Sequence, residues 1–201
     1  MTVPDVVVCR TGTANLASIL AALRRAGGVP RTGRSPDEIR AATHVVLPGV
    51  GTFGAAMDTL RDTGTDDALS RHIESGKPLL AICVGFQLLC RSSEESPNAT
   101  GLGLIDDGVT RYPDGVRVPQ FGWNSLVPGS GCRTLVAGHA YFANSYRLEH
   151  APRGWCAAMA DHGGPFVAAL ERDALVACQF HPELSGSWGE ALIGRWLAMP
   201  C

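Results

Sequence analysis

Apolar residues fall along this chain in short blocks, and their spacing changes character near residue 100. Val6-Val7-Val8-Cys9 reads as a strand, and the amphipathic stretch 15–25 as the helix that follows it. Val45-Val46-Leu47 is a second strand, broken by Pro48-Gly49-Val50-Gly51 ahead of a helix running to about Leu60. Leu79-Leu80-Ala81-Ile82 is a third, with a helix starting at Gly85. Strands that are apolar at nearly every position, alternating with helices, predict a mostly parallel sheet covered on both faces.

Later blocks are shorter and closer together. Residues 108–111, 124–127, 141–146, 156–159, 166–170 and 175–180 read as strands, several of them pairing antiparallel, and 189–197 as a closing helix. No repeat, biased segment or linker divides the pattern, so residues 1–201 are expected to form one α/β domain.

Composition narrows the partners. The chain is 45% hydrophobic over 201 residues, enough for a well-buried core. A formal charge of −2 leaves no basic field for nucleic acid. Met1-Thr2-Val3-Pro4-Asp5 has no cationic lead into an apolar segment, and no uncharged run approaches the ~20 residues of a membrane helix. The seven cysteines, at 9, 83, 90, 132, 156, 178 and 201, form no CxxC pair. That argues against a disulfide framework and a zinc site, and for a reduced cytoplasmic protein.

One cysteine stands apart. Ala81-Ile82-Cys83-Val84-Gly85 has the small-x-nucleophile-x-small form of a strand-to-helix elbow, where a strained turn exposes the side chain and small neighbours let backbones approach. A helix beginning there favours a thiolate, and the Val84 N–H is a candidate oxyanion donor. An isolated cysteine at a strand's end is more often inert core. Cys178-Gln179-Phe180-His181-Pro182-Glu183 shifts the balance, because a cysteine nucleophile needs a base and the base needs an acceptor to fix its tautomer. Pro48-Gly49-Val50-Gly51 supplies glycines that can turn backbone N–H groups toward an anion or an oxyanion, and no phosphate-loop pattern ending in Gly-Lys-Ser/Thr is present.

Together these segments resemble the class I (triad) glutamine amidotransferases, whose fold is flavodoxin-like. More narrowly, the chain is similar to the glutaminase subunits of imidazole glycerol phosphate synthase. The wider resemblance rests on the elbow and the His-Pro-Glu ending. The narrower one rests on Gly12-Thr13-Ala14-Asn15-Leu16 with Ser18, "LPGVGTFGAAM" from Leu47, "GLGLI" from Gly101, "GWN" from Gly122, "YFANSY" from Tyr141 and "QFHPE" from Gln179.

The resemblance implies Cys83 as nucleophile, His181 as base and later acid, and Glu183 as the orienting carboxylate. It implies Gly51 and Val84 as oxyanion donors. Gln87, Glu95 and the Asn144-Ser145-Tyr146 segment would hold L-glutamine, without metal or organic cofactor. It also implies a heterodimer with a (β/α)8-barrel cyclase that takes up the ammonia, with Asn15, Gln120, Trp123 and Leu184 at the interface. Three positions depart from the family pattern. Gln120 stands where a histidine is usual in Pro119-Gln120-Phe121-Gly122-Trp123-Asn124, Leu184 replaces a lysine after the Pro-Glu, and Asn144 replaces a histidine before Ser145-Tyr146. The first two, Gln120 and Leu184, keep open a paralogue serving another acceptor in sugar or natural-product amination, and the change at Asn144 is milder. A silent partner-binding subunit is the reading of a different class, and the intact Cys83, His181, Glu183 and Gln87 count against it.

Overall fold

The computed structural model describes residues 4–11, 15–33, 35–49 and 51–201. Residues 12–14 and Val50, both inside the motifs quoted above, lie outside the described residues.

The organising feature is a nine-stranded sheet. Its parallel half runs β2 (Val29–Thr32), β1 (Asp5–Val8), β3 (His44–Leu47), β4 (Leu79–Ile82), β12 (Leu175–Cys178), and it continues antiparallel through β11 (Pro165–Arg172), β10 (Cys156–Asp161), β7 (Gln120–Pro128) and β8 (Gly138–Asn144). The strands β3, β4 and β12 are buried at every position. Helices cover both faces, so side chains pointing either way enter apolar surroundings, and this explains the continuous apolar runs. Those helices are α1 (Leu16–Arg25), α2 (Pro36–Ala41), α3 (Phe53–Asp62), α4 (Thr65–Glu74) and α6 (Gly186–Leu197). Asn15 caps α1 by accepting from the Ser18 N–H, and Ser35 with Glu38 forms a capping box on α2. No helix is long and apolar enough to cross a membrane among the described residues.

Several expectations are corrected. The helix after Cys83 is a single turn, α5 (Val84–Gln87), and the chain enters β5 (Cys90–Ser93) at once. Leu88, Leu89 and Cys90 are buried because they follow this descent, not because they line a long helix. A one-turn helix carries little macrodipole, so the support expected from it reduces to its first N–H groups. The stretch 141–146 splits at Ser145: β8 stays in the large sheet, while β9 (Tyr146–Arg147) pairs with β6 (Ile105–Arg111) beside β5. The final helix starts at Gly186, three residues early. The strand before His181 ends at Cys178.

Two cysteines are paired. Cys132 follows β7, Cys156 opens β10, and the antiparallel β7–β10 ladder brings their Cα atoms to 5.5 Å, where they form a disulfide. The expectation of a reduced chain is corrected at this one pair. A contact across 24 residues has no local signal.

Candidate active site

Cys83 follows β4 with φ 54° and ψ −113°, one of two described non-glycine residues with positive φ. Its neighbours explain how so strained a turn is held. A Cβ on Gly85 would lie 2.0 Å from the Leu47 carbonyl oxygen, and one on Gly49 would lie 2.2 Å from the Gly85 nitrogen. The loop after β3 and the elbow after β4 thus pack backbone against backbone, which only glycine permits at both places. Gly51, on the same loop, has φ 88°.

His181 arrives from the other side. Its backbone N–H donates to the Tyr141 carbonyl at 2.9 Å, which ties the β7–β8 hairpin to the segment after β12. Pro182 opens a short 3-10 turn, Pro182–Leu184, and this folds Glu183 back beneath the ring. The Nδ1–Oε1 distance is 2.8 Å. Occupation of Nδ1 leaves Nε2 as the working nitrogen. Burial disfavours the imidazolium, but hydrogen-bonding and charge interactions with Cys83 and Glu183 outweigh it, and the pKa is pushed up to about 10. The second Glu183 oxygen is buried without a partner among the described residues, so the carboxylate's main compensation is that ring.

Three other thiols are buried in the core. Burial pushes Cys9 and Cys90 up to about 12 and raises Cys178 as well, so all three stay protonated and unreactive at neutral pH.

Other expected site residues fall into three groups. Gln87, Asn144 and Tyr146 lie together: the Gln87 amide donates to the Tyr146 carbonyl, and so does that of Asn144. The Ser145 carbonyl accepts from the Tyr112 N–H. Glu95 sits by the glycine loop, where one carboxylate oxygen accepts from the Phe53 N–H at 2.7 Å. Asn15 and Leu184 line a small cleft with Pro48, Gly49, His181 and Glu183.

Gln120 is a correction. Expected at a partner-facing position, it is 5% exposed and accepts from the Tyr112 hydroxyl at 2.7 Å. Alternation along β7 is the reason: residue 120 points in while 121 and 123 point out. The outward face instead presents Phe121, 64% exposed, and Trp123, 59% exposed, with Trp123 edge-on to Tyr141 and Leu184 also exposed. Sequence reasoning missed Tyr112 and the side chain of Gln179 altogether. Gln179 lies in a quoted motif, but nothing local marks a strand-end glutamine as facing a sulfur.

A strand-end cysteine in a strained elbow, a histidine locked by a carboxylate, and an order β2-β1-β3-β4-β12 with the site at the strands' carboxyl ends define a triad amidotransferase architecture. The family model "Glutamine amidotransferase class-I" matches residues 13–196, and the chain belongs to that family. The imidazole glycerol phosphate synthase subunit HisH of Escherichia coli strain K12 is 40% identical over 200 residues, covering 97% of this chain and 100% of that protein. The protein of the same name from Desulfitobacterium hafniense is 38% identical over 193 residues, 92% of each. A solved glutamine amidotransferase superposes with a TM-score of 0.77 over 96% of both chains at 21% identity. PurLQS from Thermotoga maritima does so at 0.73 over 98% of both at 16% identity; likenesses this remote show the fold alone.

Proposed function

We propose that this chain is the glutaminase subunit of an imidazole glycerol phosphate synthase, hydrolysing L-glutamine to glutamate and ammonia for a (β/α)8-barrel cyclase. The observation that carries the chemistry is the 2.8 Å His181–Glu183 contact behind an elbow cysteine. The Cys83 sulfur attacks the glutamine δ-carbonyl carbon with its proton held on His181 Nε2. The oxyanion is met by the Val84 and Gly51 N–H groups. Collapse breaks the C–N bond, His181 returns the proton to the leaving nitrogen, and ammonia departs from a γ-glutamyl thioester. Water, deprotonated by His181, then attacks the thioester carbon and frees glutamate and the thiol. Glu183 keeps Nδ1 protonated throughout and offsets the charge on the ring. Gln87, Glu95 and the 144–146 backbone hold the amino-acid end of the substrate.

Ammonia then reaches the cyclase, which converts its phosphoribulosyl nucleotide to imidazole glycerol phosphate. Glycines at 49 and 51 let a peptide rotate at little steric cost, so an oxyanion donor can be withheld until the partner binds its ligand. Losing one donor changes the rate by ~10²–10³, enough for a gate.

A second reading, a paralogous acceptor enzyme, is favoured by one observation. Leu184 and Phe121 put exposed apolar surface where the family pattern has a lysine nearby.

The test measures glutamate formation by the pure chain, with the cyclase, and with cyclase plus its nucleotide. Weak, intermediate and strong rates in that order support the reading. Full activity of the chain alone refutes the gate, and a cyclase without effect favours the other acceptor.

A further inference from the structure

Five buried side chains and the carbonyl of half-buried Tyr146 link the inner side of β7 to the nucleophile. Tyr112 hydroxyl donates to Gln120 at 2.7 Å, and the Asn144 amide donates to Tyr112 hydroxyl at 2.9 Å and to the Tyr146 carbonyl at 2.9 Å. Gln87 donates to the same carbonyl at 3.3 Å and to Gln179 Oε1 at 3.0 Å, and Gln179 Nε2 faces Cys83 Sγ at 3.9 Å. Gln179 is fully buried, and Tyr112, Gln87, Asn144 and Gln120 are all nearly so. With water excluded, each donor has few other partners, and a broken link leaves a costly orphan.

The direction of every link follows from one atom. The Tyr146 carbonyl only accepts, so Asn144 and Gln87 must both turn their NH2 groups toward it. Asn144 then donates to the Tyr112 oxygen, whose own proton goes to Gln120 Oε1. On the other side the Gln87 NH2 requires the oxygen of Gln179, and this turns the Gln179 NH2 to the sulfur. The relay therefore ends by presenting an N–H to Cys83, the arrangement that favours sulfur bearing negative charge.

We propose that Gln179 and Tyr112 are positioning residues of the glutaminase: Gln179 offers an N–H to the Cys83 sulfur and fixes the Gln87 amide, and Tyr112 anchors the Asn144–Tyr146 segment from the far end. This rests on Cys83 being the nucleophile. The two residues act at opposite ends of the relay, so their loss separates into different kinetic constants. Gln179→Met keeps the volume and removes both polar atoms, so the N–H to sulfur is lost. Tyr112→Phe removes one oxygen and leaves the Gln179–Cys83 link in place.

The experiment measures Cys83 alkylation by chloroacetamide at fixed pH, steady-state glutaminase kinetics with the partner cyclase, and urea unfolding for each variant. Gln179→Met should slow Cys83 alkylation about tenfold, the scale of a charge-assisted hydrogen bond. Tyr112→Phe should leave alkylation within about twofold while raising KM for glutamine about three- to tenfold with kcat kept, as for loss of a neutral hydrogen bond that orients substrate contacts. Unchanged alkylation in Gln179→Met overturns the sulfur assignment. Equal slowing in both variants, in proportion to lost stability, overturns positioning in favour of packing alone. A parent enzyme that a glutamine-derived chloroketone neither labels at Cys83 nor inactivates refutes the glutaminase reading itself, and the proposal with it.

Discussion

Substituting Cys83 by alanine and by glycine removes the sulfur in both cases, so the pair isolates the backbone. At φ 54° and ψ −113° a β-carbon is strained, at a cost of about 1–3 kcal/mol. At an unstrained buried position, alanine to glycine loses about 0.8 kcal/mol of buried methyl and about 0.5–1 kcal/mol of backbone entropy. Ala81, fully buried two residues earlier in β4, provides that reference. Ala81→Gly should then cost about 1.5 kcal/mol. Between Cys83→Ala and Cys83→Gly, strain relief of about 2 kcal/mol should cancel or invert that loss, leaving the glycine variant at least as stable. In a chain of this length the ~2 kcal/mol offset between the two sites corresponds to about 4–8 °C in Tm. Urea and thermal unfolding of the four proteins measure it, and both Cys83 variants should form no glutamate. If Cys83→Gly is less stable than Cys83→Ala by the same margin that Ala81→Gly shows, the elbow stores no strain and the reasoning fails.

Three further outcomes are expected. A glutamine-derived electrophile should label Cys83 and spare Cys9, Cys90 and Cys178, whose thiols burial holds protonated; peptide mapping that finds any of these three labelled at a comparable rate contradicts the assignment. His181→Asn should lower glutaminase turnover by roughly 10³-fold or more and Glu183→Gln by less, because one transfers the proton and the other orients it; the reverse order in steady-state assays refutes the roles. Burial, reinforced by mutual repulsion at His44, lowers the pKa of both His44 and His72, so their contribution to stability is full above about 6.5 and fades as pH falls below it; urea midpoints between pH 8 and 5 should show a loss that His72→Gln reduces. His181 has the opposite sign: raised to about 10, it contributes fully below about 6.5 and loses its effect as pH rises through 10.

The inner parallel strands were legible because doubly covered strands must be apolar throughout, as Val45 to Leu47 and Leu79 to Ile82 are. The triad was legible because its constraints are local: an elbow needs glycine two residues on, and Glu183 reaches His181 across a single turn. Helix α4 and strand β2 escaped notice. Residues 65–74 are dominated by polar side chains, and Val29-Pro30-Arg31-Thr32 forms an edge strand with no apolar run. The longer helix expected after Cys83 has a different cause. Phe86, Leu88 and Leu89 are apolar because they are buried around a descending turn, and over four residues that pattern imitates a helix.

Gln120 and Asn144 appear in the sequence as unrelated departures, 24 positions apart. In the structure they bond the two sides of one hydroxyl, since Tyr112 donates to Gln120 and accepts from Asn144. A hydroxyl between two amides settles its direction as soon as one amide is fixed, and the Tyr146 carbonyl fixes Asn144. Amides also hold that direction at every pH, whereas a histidine at either position would exchange donor and acceptor roles on protonation. A histidine at 120 alone keeps one acceptor nitrogen for Tyr112 but adds a ring N–H beside it, and one at 144 alone has a single N–H for the two acceptors that Asn144 serves. The two positions are therefore coupled through the hydroxyl: Gln120→His should weaken glutamine binding by itself, measured as KM, and adding Asn144→His to it should cost less than Asn144→His costs in the parent. Additive losses in that double-mutant cycle would show that the two sides of the hydroxyl are independent.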